Sequence, residues 1–291
     1  MTQKLKKTRI LVAGAEGFIG SHMVQLLQEQ PDNEVIPIDL DLLDLSETSA
    51  IDALPTEVDY CYHFAATLPT WKFYELPEVV LSNDLRITLN LSEWAARGHC
   101  RKILFNSSNE VYLDSDVDED ADLHVAPLLQ PRTSYQLSKI TSEAILQNTG
   151  RKGGFDVTVF RLSNAYGPRM HEDQVIRKFV DLAGQRTDPF IVGGFDVVRQ
   201  FIHVSDVVRS LWELRDIKAP TVNILGDELR LQDLANLICN IAGYNPQLEE
   251  AVSPPGSATI KRMKSKYNLP VLSIPIEKGL KTLYESLYST T

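Results

Sequence analysis

Apolar runs of strand length recur at 9–13, 34–38, 58–65, 102–106 and 157–162, and stretches of helical period such as 18–30 and 78–97 separate them. Runs of that length suit strands buried on both faces, while the intervening period of 3.6 puts apolar side chains on one face of a helix. Strict alternation of the two predicts an α/β fold with a parallel sheet covered by helices on both sides. Beyond about residue 165 the pattern turns irregular: a helix near 174–183, a short strand at 190–192, a strand and helix across 201–214, and further helices at 231–241 and 276–287. A smaller C-terminal lobe is expected there.

The first run passes into Gly14-Ala-Glu-Gly17-Phe18-Ile19-Gly20. Glycines at this spacing after a strand allow a tight turn, close backbone approach and close helix packing, so that a pyrophosphate can rest on the amides that open the next helix. The second strand ends at Asp39, the distance at which a carboxylate can accept hydrogen bonds from an adenosine ribose. A carboxylate repels a 2′-phosphate, which favours NAD over NADP. These features predict a Rossmann-like doubly wound parallel sheet over 1–165, with part of 199–226 packing back on it, and a smaller substrate-binding lobe formed mainly by 166–291.

Charge and composition narrow the function classes. A formal net charge of −10 over 291 residues argues against general affinity for nucleic acid or an anionic membrane. Its densest part is the acidic run 114–122, read as a solvated loop. An anionic ligand would therefore need positive charge supplied locally. Cys61, Cys100 and Cys239 are odd in number and lack ligand spacing, which predicts reduced thiols in a cytoplasmic protein, with no disulfide framework and no metal site. No run approaches the roughly 18 apolar residues of a membrane span, and the basic N-terminus reads as the lead into a strand.

Tyr135 and Lys139 are four apart in Tyr-Gln-Leu-Ser-Lys, so on a helix they project from one face. A neighbouring ammonium lowers the cost of ionising a phenol, whose ordinary pKa is about 10. Tyr135 is thereby a candidate base. The pair follows the fourth apolar run, which ends in Ser107-Ser108 with Glu110 two residues on.

Together these segments resemble the extended short-chain dehydrogenase/reductases, in particular the NAD-dependent epimerase/dehydratase family acting on nucleotide sugars. The resemblance covers nearly the whole chain: GAEGFIGSH, DLLDL, HFAAT, FNSSNEVY, YQLSK, RLSNAYGPR and RQFIHVSDVV all resemble family blocks. It implies a cofactor site of Gly14, Gly17, Phe18, Ile19, Gly20, Asp39, Asp44, Leu45, Phe64, Ala65, Ala66 and Ser107, joined by Tyr135 and Lys139. It also implies that Tyr135 takes the proton of a sugar hydroxyl while Ser108 binds that oxygen and Lys139 holds the nicotinamide ribose. Asn164 and Arg199 would hold the substrate diphosphate, with Asn109 nearer the sugar. His63, His203 and Trp71 are read as packing groups. Family members commonly dimerise through a four-helix bundle, which implies a homodimer built on 78–97 and 135–147.

Some positions depart from the family pattern. Asp84 and Ile87 stand where Asn and Gly are usual, replacing a hydrogen-bond donor by an acceptor, and Leu113 stands where glycine is customary. Glu110 is the residue that in dehydratases and decarboxylases assists proton removal at C5, and it is read here as a fourth catalytic candidate. Asn109 cannot serve as the acid that one dehydratase type uses. A sugar-nucleotide 4-epimerase is the first reading, with a dehydratase or decarboxylase, a 4-ketoreductase, and a non-catalytic NAD-binding regulatory protein as alternatives.

Overall fold

The computed structural model describes residues 6–67, 72–112, 133–251 and 262–288. The acidic run 114–122, Trp71 and Leu113 lie outside the described residues. In chain order the elements are β1 (Thr8–Ala13), α1 (Phe18–Gln28), β2 (Asn33–Ile38), α2 (Ala50–Ala53), β3 (Val58–His63), α3 (Lys72–Glu75), α4 (Pro77–Trp94), β4 (Cys100–Ser108), α5 (Ser134–Gly153) and β5 (Asp156–Leu162). They continue with β6 (Asn164–Tyr166), α6 (Val175–Gly184), β7 (Phe190–Val192), β8 (Val198–His203), α7 (Val204–Glu213), β9 (Thr221–Ile224), β10 (Asp227–Arg230), α8 (Leu231–Ile241), β11 (Leu248–Glu250) and α9 (Ile276–Tyr288). Two compact units result. Among the described residues the first takes 6–67, 72–111, 133–161 and 211–222, and the second takes 112, 162–210, 223–251 and 262–288.

The first unit is organised by a six-stranded sheet of order β2-β1-β3-β4-β5-β9, in which β1 pairs in parallel with both β2 and β3, and β3 with β4. This is the doubly wound architecture that the alternating pattern predicts. Pro37 sits in β2 at the edge of the sheet, where its missing N–H leaves no ladder bond unmade. Beneath the sheet Leu11, Ile51, Cys61, Leu91, Trp94, Ile103, Leu146 and Val159 form a continuous apolar core. Burial of large apolar side chains is worth about 1.5–3 kcal/mol each. Trp94 is fully buried, and its indole N–H donates to the Pro55 carbonyl at 2.8 Å.

Element ends follow local chemistry. The strand expected over 58–65 stops at His63, because neighbouring β1 turns away at Gly14, whose φ of 81° ends the ladder. The helix expected to reach residue 97 is regular only to Trp94, then widens into a π turn at Ala95–His99 that Gly98 closes with φ 84°. Helix α5 starts where the Thr133 hydroxyl accepts from the Gln136 amide at 3.1 Å, and stops at left-handed Gly154.

In the second unit β8 is the middle strand of a three-stranded sheet, antiparallel to β10 and parallel to β6, while β7 and β11 pair separately. Phe179 of α6 meets Phe190 of β7 edge to face at 5.3 Å between ring centres. Asp206, near the start of α7, is 1% exposed and accepts from the Ser273 amide and hydroxyl, the Ile274 amide and the Arg209 guanidinium. It thereby ties the segment before α9 to α7. Burial pushes this carboxyl up, but the hydrogen bonds from Ser273, Arg209 and Ile274 outweigh it and leave the pKa below its ordinary value. A native value below the unfolded one means that Asp206 stabilises fully above the unfolded value of 3.8, and the contribution is lost as pH falls from there through the native value. Asp206→Asn is expected to cost about 1–3 kcal/mol at neutral pH by stranding buried donors, and to flatten the acid limb of the stability curve. Thermal melts from neutral pH into the acid range check both effects.

Candidate active site

Gly14 ends β1 in a conformation that disfavours side chains, and a Cβ there would lie 2.6 Å from the Ala65 amide nitrogen. A Cβ on Gly20 would lie 1.9 Å from the Gly14 carbonyl oxygen. These two glycines thus let the end of β1, the segment after β3 and the first turn of α1 share one small volume. Gly17 is the N-cap of α1 and brings no side chain to satisfy its opening amides, nor does the first turn carry an acidic residue. The amides at Phe18 and Ile19 therefore open toward an anion without a built-in competitor.

Asp39 is partly buried just past β2, where its carboxylate accepts from the Glu16 amide at 2.7 Å and the Leu40 amide at 2.8 Å. Each oxygen keeps a lone pair for a ribose hydroxyl. Asp44 instead shapes a turn, accepting from the amide and hydroxyl of Ser46, and the Leu45 side chain is part of the core. Phe64 stacks on Tyr62 at 5.9 Å, while Ala65 and Ala66 line the partly exposed segment beyond it. A glycine cradle that a methyl group would fill, capless amides and a carboxylate at the strand end fit a dinucleotide.

The chemistry-bearing side chains gather at the end of β4. Ser108 is its last residue, and the Ser108 hydroxyl acts on the Tyr135 phenol to lower its pKa. One turn further along α5, the Lys139 ammonium donates to the Asn106 carbonyl at 2.8 Å and lies 5.5 Å from the Tyr135 ring centre. Phe73 stacks on the Tyr135 phenol ring, at 4.7 Å between ring centres and 16° from parallel. The sequence predicts a phenol made acidic by Lys139, and the structure corrects this. Burial raises the Tyr135 pKa above its ordinary value, the Ser108 hydroxyl opposes the rise, and the charges of Glu110 and Asp84 add to it. Burial likewise lowers the Lys139 pKa, against the charges of Asp84 and Glu143.

Behind this face lies a polar layer. Glu143 and Arg161 form an ion pair at 2.7 Å with both side chains about 5% exposed or less, and the Ser107 hydroxyl also donates to Glu143. Ser107 is accordingly a structural link between β4 and α5, its hydroxyl already engaged. Removing one partner of such a pair costs about 3–5 kcal/mol. Asp84 on α4 accepts from the Thr67 amide and the Ser138 hydroxyl. His63 is buried beside Thr88 and held neutral, its pKa lowered to about 3 by burial and then by Lys139.

The other expected residues are placed as follows. Glu110 is exposed on the single turn after β4, its amide donating to Ser108 Oγ at 3.1 Å and its carbonyl accepting from Gln136 at 2.7 Å. Asn109 is 3% exposed, with only a long 3.5 Å contact from Ser108 to its side-chain oxygen. Asn164 and Arg199 lie on neighbouring strands β6 and β8 of the second unit; the Asn164 amide donates to the Gln200 carbonyl, and Arg199 donates to the Val198 carbonyl. His203 packs edge to face on Tyr166. Ser138, Glu143 and Arg161 were not read from the sequence as parts of this site. Glu143 had a signal: it follows Lys139 by four, as Lys139 follows Tyr135.

Fold and glycine turn together define a dinucleotide-binding α/β protein. Residues 10–224 match the NAD dependent epimerase/dehydratase family, and the chain belongs to it. It is an enzyme of that family, and NAD is its cofactor. UDP-glucuronic acid decarboxylase 1 of Xenopus tropicalis is 29% identical over 98% of this chain and 73% of its own length. The dTDP-glucose 4,6-dehydratase of Actinoplanes sp. is 31% identical over 70% of this chain and 71% of its own. Among solved structures, the UDP-glucose 4-epimerase of Thermotoga maritima superposes with a TM-score of 0.84 at 22% identity, covering 97% of this chain and 99% of its own. No helix among the described residues is long and apolar enough to cross a membrane.

Proposed function

We propose that the chain oxidises a nucleotide sugar at C4 to the 4-ketone and reduces it again, with 4-epimerisation as the net reaction. The observation that carries this reading is the placement of Lys139 one turn from Tyr135 on α5, its ammonium on the Asn106 carbonyl at 2.8 Å and 5.5 Å from the phenol ring centre, with Ser108 at the adjoining end of β4. Ser108 aligns the sugar hydroxyl, and Tyr135 takes its proton on oxidation and returns it on reduction. Lys139 stabilises the phenolate and has two hydrogens left for a cofactor ribose. Gly14, Gly17, Gly20 and Asp39 would hold NAD, which would supply the hydride acceptor and donor for the sugar carbon. Asn164 and Arg199 are the proposed diphosphate ligands, the arginine supplying positive charge to an acidic chain.

Glu110 favours a second reading. Its charge is felt at Tyr135, and an exposed carboxylate there suits proton removal at C5, which a 4-ketone makes acidic. The names of the Xenopus and Actinoplanes relatives agree with decarboxylation or dehydration. Against dehydration stands Asn109, which cannot protonate a departing C6 hydroxyl. A cytoplasmic location accords with three buried free thiols. A homodimer through α4 and α5 is supported by exposed Val79 and Leu89 on α4; sedimentation at the monomer mass would contradict it.

Product mass after incubation with NAD and a panel of nucleotide sugars decides among the reactions. Unchanged mass with a new retention time supports epimerisation, whereas loss of water or of carbon dioxide contradicts it in favour of the second reading. Tyr135→Phe is expected to lower turnover by about a hundredfold or more while NAD binding, read by calorimetry, stays nearly intact. Turnover retained in that variant would remove Tyr135 from the mechanism.

A further inference from the structure

Asp84 places a carboxylate, 5% exposed, against the helix that carries Tyr135 and Lys139. One oxygen accepts from the Thr67 amide past β3 at 2.7 Å, and the other accepts from the Ser138 hydroxyl on α5 at 2.9 Å. Both donors are neutral. Hydrogen bonds from neutral groups orient a buried negative charge but do not cancel it, and an uncompensated charge in a low dielectric is costly.

Ser138 is flanked by Lys139, whose buried ammonium is fixed on the Asn106 carbonyl and feels the Asp84 charge. The Ser138 hydroxyl also lies 3.0 Å from the Tyr135 carbonyl, so the carboxylate reaches the backbone of the tyrosine through one side chain. The remaining groups around the pair are accounted for. Glu110 faces Tyr135 from the turn after β4, and the Ser108 hydroxyl acts on the phenol from β4. Glu143 of α5, itself paired with Arg161 of β5, faces Lys139, and His63 of β3 faces it as a neutral ring.

We propose that Asp84 is a positioning residue of the catalytic helix: through the Ser138 hydroxyl and the Thr67 amide it fixes α5 against the segment after β3, and it holds a buried carboxylate against the turn that carries Tyr135 and Lys139. The proposal rests on the reading of Tyr135 as the group that moves the proton. Asp84 and Glu110 then act on the phenol from two sides with the same sign, and Lys139 is divided between a carboxylate and the phenolate it has to stabilise. An asparagine at 84 would keep the shape, its oxygen accepting from the Thr67 amide and its NH2 donating to the Ser138 hydroxyl, and would remove the charge.

The test is a titration of Tyr135 in the full chain loaded with NAD and labelled with ¹³Cζ-tyrosine, the resonance being assigned by its loss in Tyr135→Phe. Between about pH 6 and about pH 11, Asp84→Asn is expected to begin forming phenolate about one pH unit below the unsubstituted protein. Ser138→Ala, which keeps the charge, is expected to shift the curve by less than half as much. Coincident curves for Asp84→Asn and the unsubstituted protein would overturn the proposal, as would an equal shift in Ser138→Ala. If Asp84→Asn does not fold, Asp84→Ser is titrated in its place with the same two outcomes. Because the signal is read without turnover, failure here is separate from failure of the 4-epimerase reading, which the product panel tests.

Discussion

Three ionisable side chains, Tyr135, Lys139 and Glu143, occupy one face of α5, and none can leave water without a partner. That constraint shapes the first unit. Glu143 takes Arg161 from β5 and Ser107 from β4, Lys139 takes the Asn106 carbonyl, and Tyr135 takes Ser108. The helix is thus pinned to the ends of adjacent strands by polar bonds that also fix the proposed catalytic side chains. A neighbouring helix contributes Asp84 to the same layer. Stability and chemistry share these contacts, so a change that loosens one is expected to loosen the other.

Much of this was legible in the chain. Strands β1 to β5 announce themselves because strands buried on both faces read as continuous apolar runs, and the glycine turn follows from backbone geometry that few other residues allow. Strands β6, β10 and β11 gave no signal: each has three or four residues, and Asp227–Arg230 alternates between partly and fully exposed positions, as a loop would. The Ser-Tyr-Lys set was found by spacing and order. Its electrostatics were not, since a helical repeat tells that Lys139 lies near Tyr135 but says nothing of how deeply both are buried. Ser138 and Asp84 are 54 positions apart, and Ser107 and Glu143 are 36. Pairings over such distances exist only once the sheet has formed.

The raised phenol has a consequence for how the site works. A tyrosine that holds its proton tightly makes a poor base in the unloaded protein, and a positive nicotinamide ring opposes that effect where it lies close. Proton transfer and cofactor binding would then be coupled by charge without any moving part. The same geometry would serve epimerisation, decarboxylation and dehydration alike, because all three pass through a 4-ketone and differ in the fate of the groups at C5 and C6.

The central claim is that hydride leaves C4 of a sugar while Tyr135 holds its proton. A nucleotide sugar bearing deuterium at C4, drawn from the substrates the enzyme turns over, tests it in a single turnover quenched by acid and read by mass spectrometry. The account predicts deuterium on the cofactor during turnover and again at C4 of an epimerised product. Deuterium released to solvent, or a cofactor that never gains it, would contradict the account.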